Sequence, residues 1–245
     1  MNPRVATWAK REDVSRRFDE LDDPWPEFMY HDAVVSANWG AMRARFPHLQ
    51  IVLFDADDGE RPIGRGQTLP VRWEGTLAGL PGGVDDATLQ AVALADGEAD
   101  TLSAMVASLD PRVRGQGLSR LIIDGMRRAA AAAGLKALIA PVRPTLKQLY
   151  PLVPMERYVE WRRGDGLLFD PWLRLHERLG AKLLRIAPAS MTIEGTVAEW
   201  EAWAGMAFPE SGEYVVGGAL APVEIDRERD RGVYVEPNVW MLHSV

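Results

Sequence analysis

Six consecutive residues, Arg112, Val113, Arg114, Gly115, Gln116 and Gly117, combine two guanidinium groups with two glycines two positions apart. Glycine lets a backbone turn tightly and lets a ligand approach where a Cβ would otherwise stand. Helical periodicity begins at once. Leu118, Leu121, Ile122, Gly125, Met126 and Ala129 recur at three- and four-residue steps, with Arg120, Asp124, Arg127 and Arg128 on the opposite face. Gly134 then supplies a left-handed stop. The first amides of a helix lack intrahelical partners and sit at the positive end of its dipole. The turn can therefore cradle a phosphate or pyrophosphate, with Arg112 and Arg114 adding charge. A tight strand-to-helix connection with no ligand would use the same glycines. Two other phosphate motifs are excluded: no Gly-Lys-Ser/Thr is present, and Arg120 stands where a dinucleotide fingerprint has its third glycine.

Such a turn must be held between a strand and a helix. Val106 to Leu109 end a short apolar run, and Asp110-Pro111 stops the strand because proline has no amide hydrogen to give. After the helix, Leu135 to Val142 reads as the next strand, parallel to the first because a helix crosses between them. Upstream, Arg4 to Trp8 reads as a strand and Arg11 to Leu21 as a charged helix ended by Pro24 and Pro26. Asp32 to Phe46 reads as a second helix, and Leu49 to Phe54 with Pro62 to Trp73 as an antiparallel pair. Val84 to Leu94 has the composition of a short helix.

Downstream, residues 143–170 interleave prolines, basic residues and aromatics. A connection of this length predicts a pocket lid or wall, or a structural flap, with Arg143, Lys147, Arg162 or Arg163 reaching an acidic group. Asp170-Pro171 opens a helix, and Leu183 to Pro188 form a strand. Thr196 to Glu199 has the capping-box pattern. Glu213 to Val223 and Gly232 to Leu242 suggest a hairpin around a charged turn at 226–231, with Glu236 and His243 facing a pocket or solvent.

The Arg-x-x-Gly-x-Gly pattern of residues 112–117, directly after a strand and Asp-Pro, resembles the acyl-coenzyme A motif of the GNAT superfamily of N-acyltransferases. The resemblance runs over roughly residues 4–194. It implies an α/β fold with a GNAT-like mixed central sheet and flanking helices, elaborated by the long loop insertion at 143–170 and a C-terminal hairpin extension. Residues 1–194 would form the acyl-CoA-binding core, and 195–245 a helix and hairpin packed on it. It also implies that the amides of Arg112, Val113, Arg114, Gly115, Gln116 and Gly117 hold the pyrophosphate and that the backbone of Leu109 meets the pantetheine arm. The motif strand and the next parallel strand would splay apart at a bulge, which Pro141 and Pro144 suit. A second segment, Leu175 to Ala181, resembles the family's stretch in which a tyrosine precedes a Leu-Gly pair, with His176 in the tyrosine position and Ala181 replacing a phenylalanine. The implied role for His176 is to protonate the departing thiolate, which an unperturbed imidazole of pKa about 6.5 can do near neutrality. Tyr150 and Tyr158 are the alternative donors. Asp100 and Glu98, just before the motif strand, are the candidates for the base.

The composition narrows the alternatives. The 245 residues are 47% hydrophobic, enough for a sizeable core, and the net charge of -7 carries no footprint for nucleic acid or an anionic membrane. No cysteine is present, which excludes disulfides and thiolate chemistry, and the four histidines show no metal-ligand spacing. The expectation is a cytoplasmic acyltransferase without a metal. Its cosubstrate would be acetyl-coenzyme A (acetyl-CoA) or another acyl-CoA, and its acceptor a small-molecule or peptide amine; a homodimer stays open. The alternative is a non-catalytic acyl-CoA-binding sensor or interaction module, which the histidine and the missing phenylalanine keep open. Calorimetric titration with acetyl-CoA is expected to show one-site binding that Gly115→Asp abolishes, because a carboxylate there collides with the pyrophosphate and repels it. Binding that survives in Gly115→Asp would reduce the turn to a connection.

Overall fold

The computed structural model describes residues 1–21 and 25–245. In chain order the strands and helices are β1 (Pro3–Thr7), α1 (Glu12–Ser15), α2 (Ala33–Arg45), β2 (Ile51–Asp55), β3 (Arg61–Val71), α3 (Val84–Ala93), β4 (Thr101–Leu109), α4 (Ser119–Ala132) and β5 (Ala137–Val142). They continue with α5 (Met155–Tyr158), α6 (Pro171–Arg178), β6 (Lys182–Gly195), α7 (Val197–Ala204), β7 (Gly212–Tyr214), β8 (Val223–Asp226) and β9 (Arg231–Ser244). The expected Arg11 to Leu21 helix is shorter. Its turns divide into α1 and a 3-10 turn at Phe18–Glu20, and the Ser15 hydroxyl bonds back to the Arg11 carbonyl. Pro24, expected to end that helix, lies outside the described residues.

One mixed sheet organises these elements, in the order β1-β2-β3-β4-β5-β9-β8-β7, with β6 also paired to β9. Among the described residues only β4 and β5 run parallel. On one face α4 buries Ile122, Met126 and Ala130 against Ile51, Leu53, Ile63 and Leu138. It sits close because Gly125 carries no Cβ, which would stand 2.8 Å from Val5 Cγ1 and 3.0 Å from Ile51 Cγ2. The other face packs Met42 of α2 and Ala91 of α3 against Leu69. The arrangement is a mixed central sheet with helices on both faces.

The expected hairpin keeps its charged turn, but its first strand is Val223–Asp226 and not Glu213 to Val223, a stretch that holds only β7 and a loop; its second strand then runs on into the sheet. Ala137 to Val142 of β5 pair in register with Ser244 to Val239 of β9, while β6 pairs along the other edge of β9. The last strand of the chain is thus an inner strand, and Val239, Trp240 and Met241 form the continuous apolar run that burial on both faces demands.

The 143–170 stretch is built rather than loose. A 3-10 turn (Lys147–Leu149), α5 and a bridge between Arg162 and Leu168 fold around Tyr150, Tyr158, Trp161 and Phe169. Asp170 pins both ends. Its Oδ1 accepts from the Trp172 and Leu173 amides at the start of α6, and its Oδ2 accepts from Leu146 N and the Tyr158 hydroxyl. Lys147, whose pKa burial pushes down to about 8, donates to the carbonyls of Tyr150 and Leu220.

Candidate active site

The parallel ladder between β4 and β5 lasts three residues, Thr101 to Ser103 opposite Ala137 to Ile139. Beyond it β4 stays with β3 as far as Leu109, and β5 stays with β9 as far as Val142. On the β3 side Gln67 faces Val106 and Thr68 faces Ala104, which leaves Met105 without a partner. An extra residue of this kind bends a strand and strengthens its twist. The outer edge of β4 from Ala104 to Leu109 therefore has no partner strand and borders a cavity of about 720 Å³. Proline at position 141, on the facing strand, offers no donor across the gap.

At the far end of this edge lies the glycine turn. Gly115 and Gly117 have φ of +78° and +73°, the left-handed region that a side chain disfavours. Leu118 precedes α4 without a side-chain cap, so the first amides of the helix are open to an anion. Arg114, Gly115 and Ser119 line the cavity. Arg112 does not; its Nε lies 2.8 Å from Asp110 Oδ1, and its guanidinium braces the turn instead of reaching inward. Val113 is buried in the core beneath α4, and Gln116 and Gly117 are exposed at the tip. Asp110 is fully buried, also accepts from Arg61 Nη1, and is held at a pKa of about 2, chiefly by its hydrogen bond from Arg112.

His176, on α6, lines the same cavity with His243 of β9. Its Nδ1 lies 2.8 Å from His243 Nε2, and the edge of Trp172 packs 4.8 Å away, centroid to centroid. Burial, helped by the neighbouring His243, pushes His176 down to about 3, and burial followed by the Arg127 cation pushes His243 down to about 4. Both rings are neutral at neutral pH. The expectation of an imidazolium titrating near 6.5 is corrected accordingly: His176 presents a neutral ring.

The structure does not bring the other two catalytic candidates to the cavity. Tyr150 sits in the aromatic cluster of the 143–170 segment, 4.9 Å from Trp161 between ring centroids. Asp100 lies at the opposite end of β4 from the glycine turn, where its Oδ1 accepts from the Trp73 amide and the Thr101 hydroxyl. Glu98 caps the same connection through the Ala95 amide. Both carboxylates close a turn, as their position before a strand allows.

Across the gap between β4 and β5 lies a second cavity of about 290 Å³. The two spaces share Trp25, Met105, Val106, Pro141 and Arg143. Arg143 does reach an acidic group: its Nε lies 2.8 Å from buried Glu236, which also accepts from Tyr234 and Asn238. Trp39, Arg43, Arg65 and Gln67 complete much of the wall. Gln67 is 1% exposed, and neither its amide nitrogen nor its amide oxygen has a protein partner. Sequence reasoning missed it. The signal was weak, since Gln67 shares the strand-like run between Ile63 and Val71 with two other polar residues, Arg65 and Thr68.

No group of three or more His, Asp or Glu side chains is placed to hold a metal among the described residues, and none of their helices is long and apolar enough to cross a membrane.

No family model matches the chain. Among curated proteins it is similar to arginine N-acetyltransferase avaD of Aspergillus versicolor, 32% identical over an aligned length of 274, covering 98% of this chain and 93% of that one. Its fold is like that of the loading GNATL domain of CurA from Lyngbya majuscula, with a TM-score of 0.60 at 17% identity over 99% of this chain and 96% of that one. It is also like that of the GphF GNAT-like decarboxylase in complex with isobutyryl-CoA, with a TM-score of 0.55 at 17% identity over 100% and 99% of the two chains. With a splayed parallel pair, a glycine turn on a helix N-terminus and this kinship, the chain belongs to the GNAT superfamily and is an acyl-CoA-dependent N-acyltransferase. The reading as a binding module without turnover is not favoured.

The buried Asp110 makes the turn sensitive to acid. Its folded pKa lies below the unfolded value, so its contribution is present above about pH 4 and is lost as pH falls through about 2. Denaturant midpoints measured from pH 7 to pH 2 are expected to show Asp110→Asn less stable at pH 7, by on the order of 2 kcal/mol, with the gap closing towards pH 2. A gap that stays constant with pH would contradict the assignment.

Proposed function

We propose that this enzyme moves the acetyl group of acetyl-CoA to an amine of a small acceptor that carries a carboxylate, arginine being the first candidate. The cosubstrate lies in the larger cavity and the acceptor in the smaller. The observation that carries this reading is the junction of the two cavities at Trp25, Met105, Val106, Pro141 and Arg143, at the point where β4 leaves β5.

The residues present fit the cosubstrate. The open edge of β4 offers backbone donors and acceptors to the amides of pantetheine, as an added strand would. The left-handed glycines and the uncapped start of α4, with Arg114 beside them, suit the pyrophosphate. A backbone N–H near the Met105 bulge polarises the thioester carbonyl. The acceptor nitrogen then forms the C–N bond as the C–S bond breaks, and the electron pair passes to sulfur. His176, being neutral, stabilises that thiolate as a hydrogen-bond donor, and the proton shed by the nitrogen balances the one the thiol gains.

The smaller cavity supports this acceptor class. The unpartnered amide of Gln67 in its wall can give a hydrogen bond to a carboxylate oxygen and accept one from an amine. The similarity to an arginine N-acetyltransferase supports the same class.

The test is free-thiol release from acetyl-CoA with arginine and with agmatine, which lacks the carboxylate. A charge-assisted hydrogen bond contributes about 1.5–3 kcal/mol, so kcat/KM is expected to be about 10–150-fold lower for agmatine. Equal use of the two amines would overturn the carboxylate reading.

A further inference from the structure

The two buried histidines have a geometry that the chemistry above does not fully use. His176 Nδ1 and His243 Nε2 lie 2.8 Å apart, a distance at which a single hydrogen is shared between them. The outer atoms of the pair, His176 Nε2 and His243 Nδ1, are both buried without a protein partner. Two neutral imidazoles can satisfy this contact in two ways. In one, His176 donates from Nδ1 and shows a bare Nε2 to its surroundings. In the other, His243 donates from Nε2, and His176 carries its hydrogen on Nε2.

Charge does not choose between these: His243 pairs across the sheet with Leu138 of β5 and packs against His176 of α6, while Arg127 of α4 is taken up by Asp124 and by the Ser244 carbonyl. The cavity separates them. Only in the second arrangement, with the hydrogen of His243 on Nε2 and aimed at His176, does His176 carry a hydrogen on the ring nitrogen that His243 leaves free. The resulting Nε2–H of His176 has no acceptor in the protein, which is rare for a buried donor. The ring that carries it forms part of the wall of the larger cavity.

We propose that His243 is a positioning residue: by donating to His176 Nδ1 it locks His176 in the Nε2–H tautomer and presents that hydrogen to the thioester sulfur. The inference rests on the reading that this cavity takes the acyl-CoA. It assigns His243 a part in the reaction although the residue lies 67 positions from His176. The same logic orients metal-bound and catalytic histidines elsewhere, where the partner of one ring nitrogen decides what the other can do.

Nitrogen-15 NMR of the wild-type enzyme tests the tautomer directly. His176 is expected as the Nε2–H form at pH 7, and an Nδ1–H form would overturn the proposal whether or not the variants fold. Kinetics then test the role. His243→Phe is expected to lower kcat about 10–100-fold with the calorimetric Kd for acetyl-CoA unchanged, and His243→Gln, which keeps an N–H donor, to recover most of the loss. Unchanged kcat in a folded His243→Phe would overturn the positioning role. Absence of acetyl-CoA binding in the wild type would instead refute the cosubstrate reading, and the NMR result would still decide the tautomer.

Discussion

Most of this molecule's chemistry depends on β4 leaving β5 after three paired residues. A strand edge inside a folded protein is a row of unpaired donors and acceptors, which a fold ordinarily covers or blunts. Here the edge stays open because each strand is held from its other side. β3 carries β4 through the Met105 bulge to Leu109, and β9 carries β5 to Val142. Neither can swing across to close the gap without giving up a continuous ladder. The open edge is therefore a consequence of the sheet's order, and the order depends on the chain's last strand filling the space between β5 and β6.

Charge is deployed around the gap in a consistent way. Asp110 absorbs the guanidinium of Arg112 and so fixes the turn's shape, while Arg114 remains beside the cavity. Arg143 and Glu236 form a partly buried pair where the two cavities meet, and the pair gains a further hydrogen bond from Arg143 to the Gly218 carbonyl. Breaking one partner of such a pair leaves a stranded charge, so these contacts hold geometry more than they add net stability. The neutral histidines extend the pattern, because burial removes their charge and leaves a directional N–H in its place.

Much of the fold was legible in the sequence because its signals are local. The strand, glycine turn and amphipathic α4 lie within some thirty residues, and each element is marked by its own periodicity or by a proline or glycine at its end. The splay was legible only through the resemblance that the Arg-x-x-Gly-x-Gly motif supports. What stayed hidden is long-range. That β9 is an inner strand depends on partners a hundred residues away, and its Val-Trp-Met-Leu run reads equally as the end of a hairpin. The meeting of His176 with His243 was invisible for the same reason, and so was their neutrality, which burial alone decides. Asp100 and Tyr150 were plausible by type but fall on the wrong end of β4 and in the wrong layer. Chemistry-bearing residue types do not reveal direction.

The central claim is that the unpartnered edge of β4 is a binding surface. Amide hydrogen exchange with and without saturating coenzyme A measures it most directly. Protection is expected at amides of residues 104–109 and 115–120, with little change in the ladder of β1 and β2. Unchanged exchange at residues 104–109 in the presence of bound coenzyme A would contradict it.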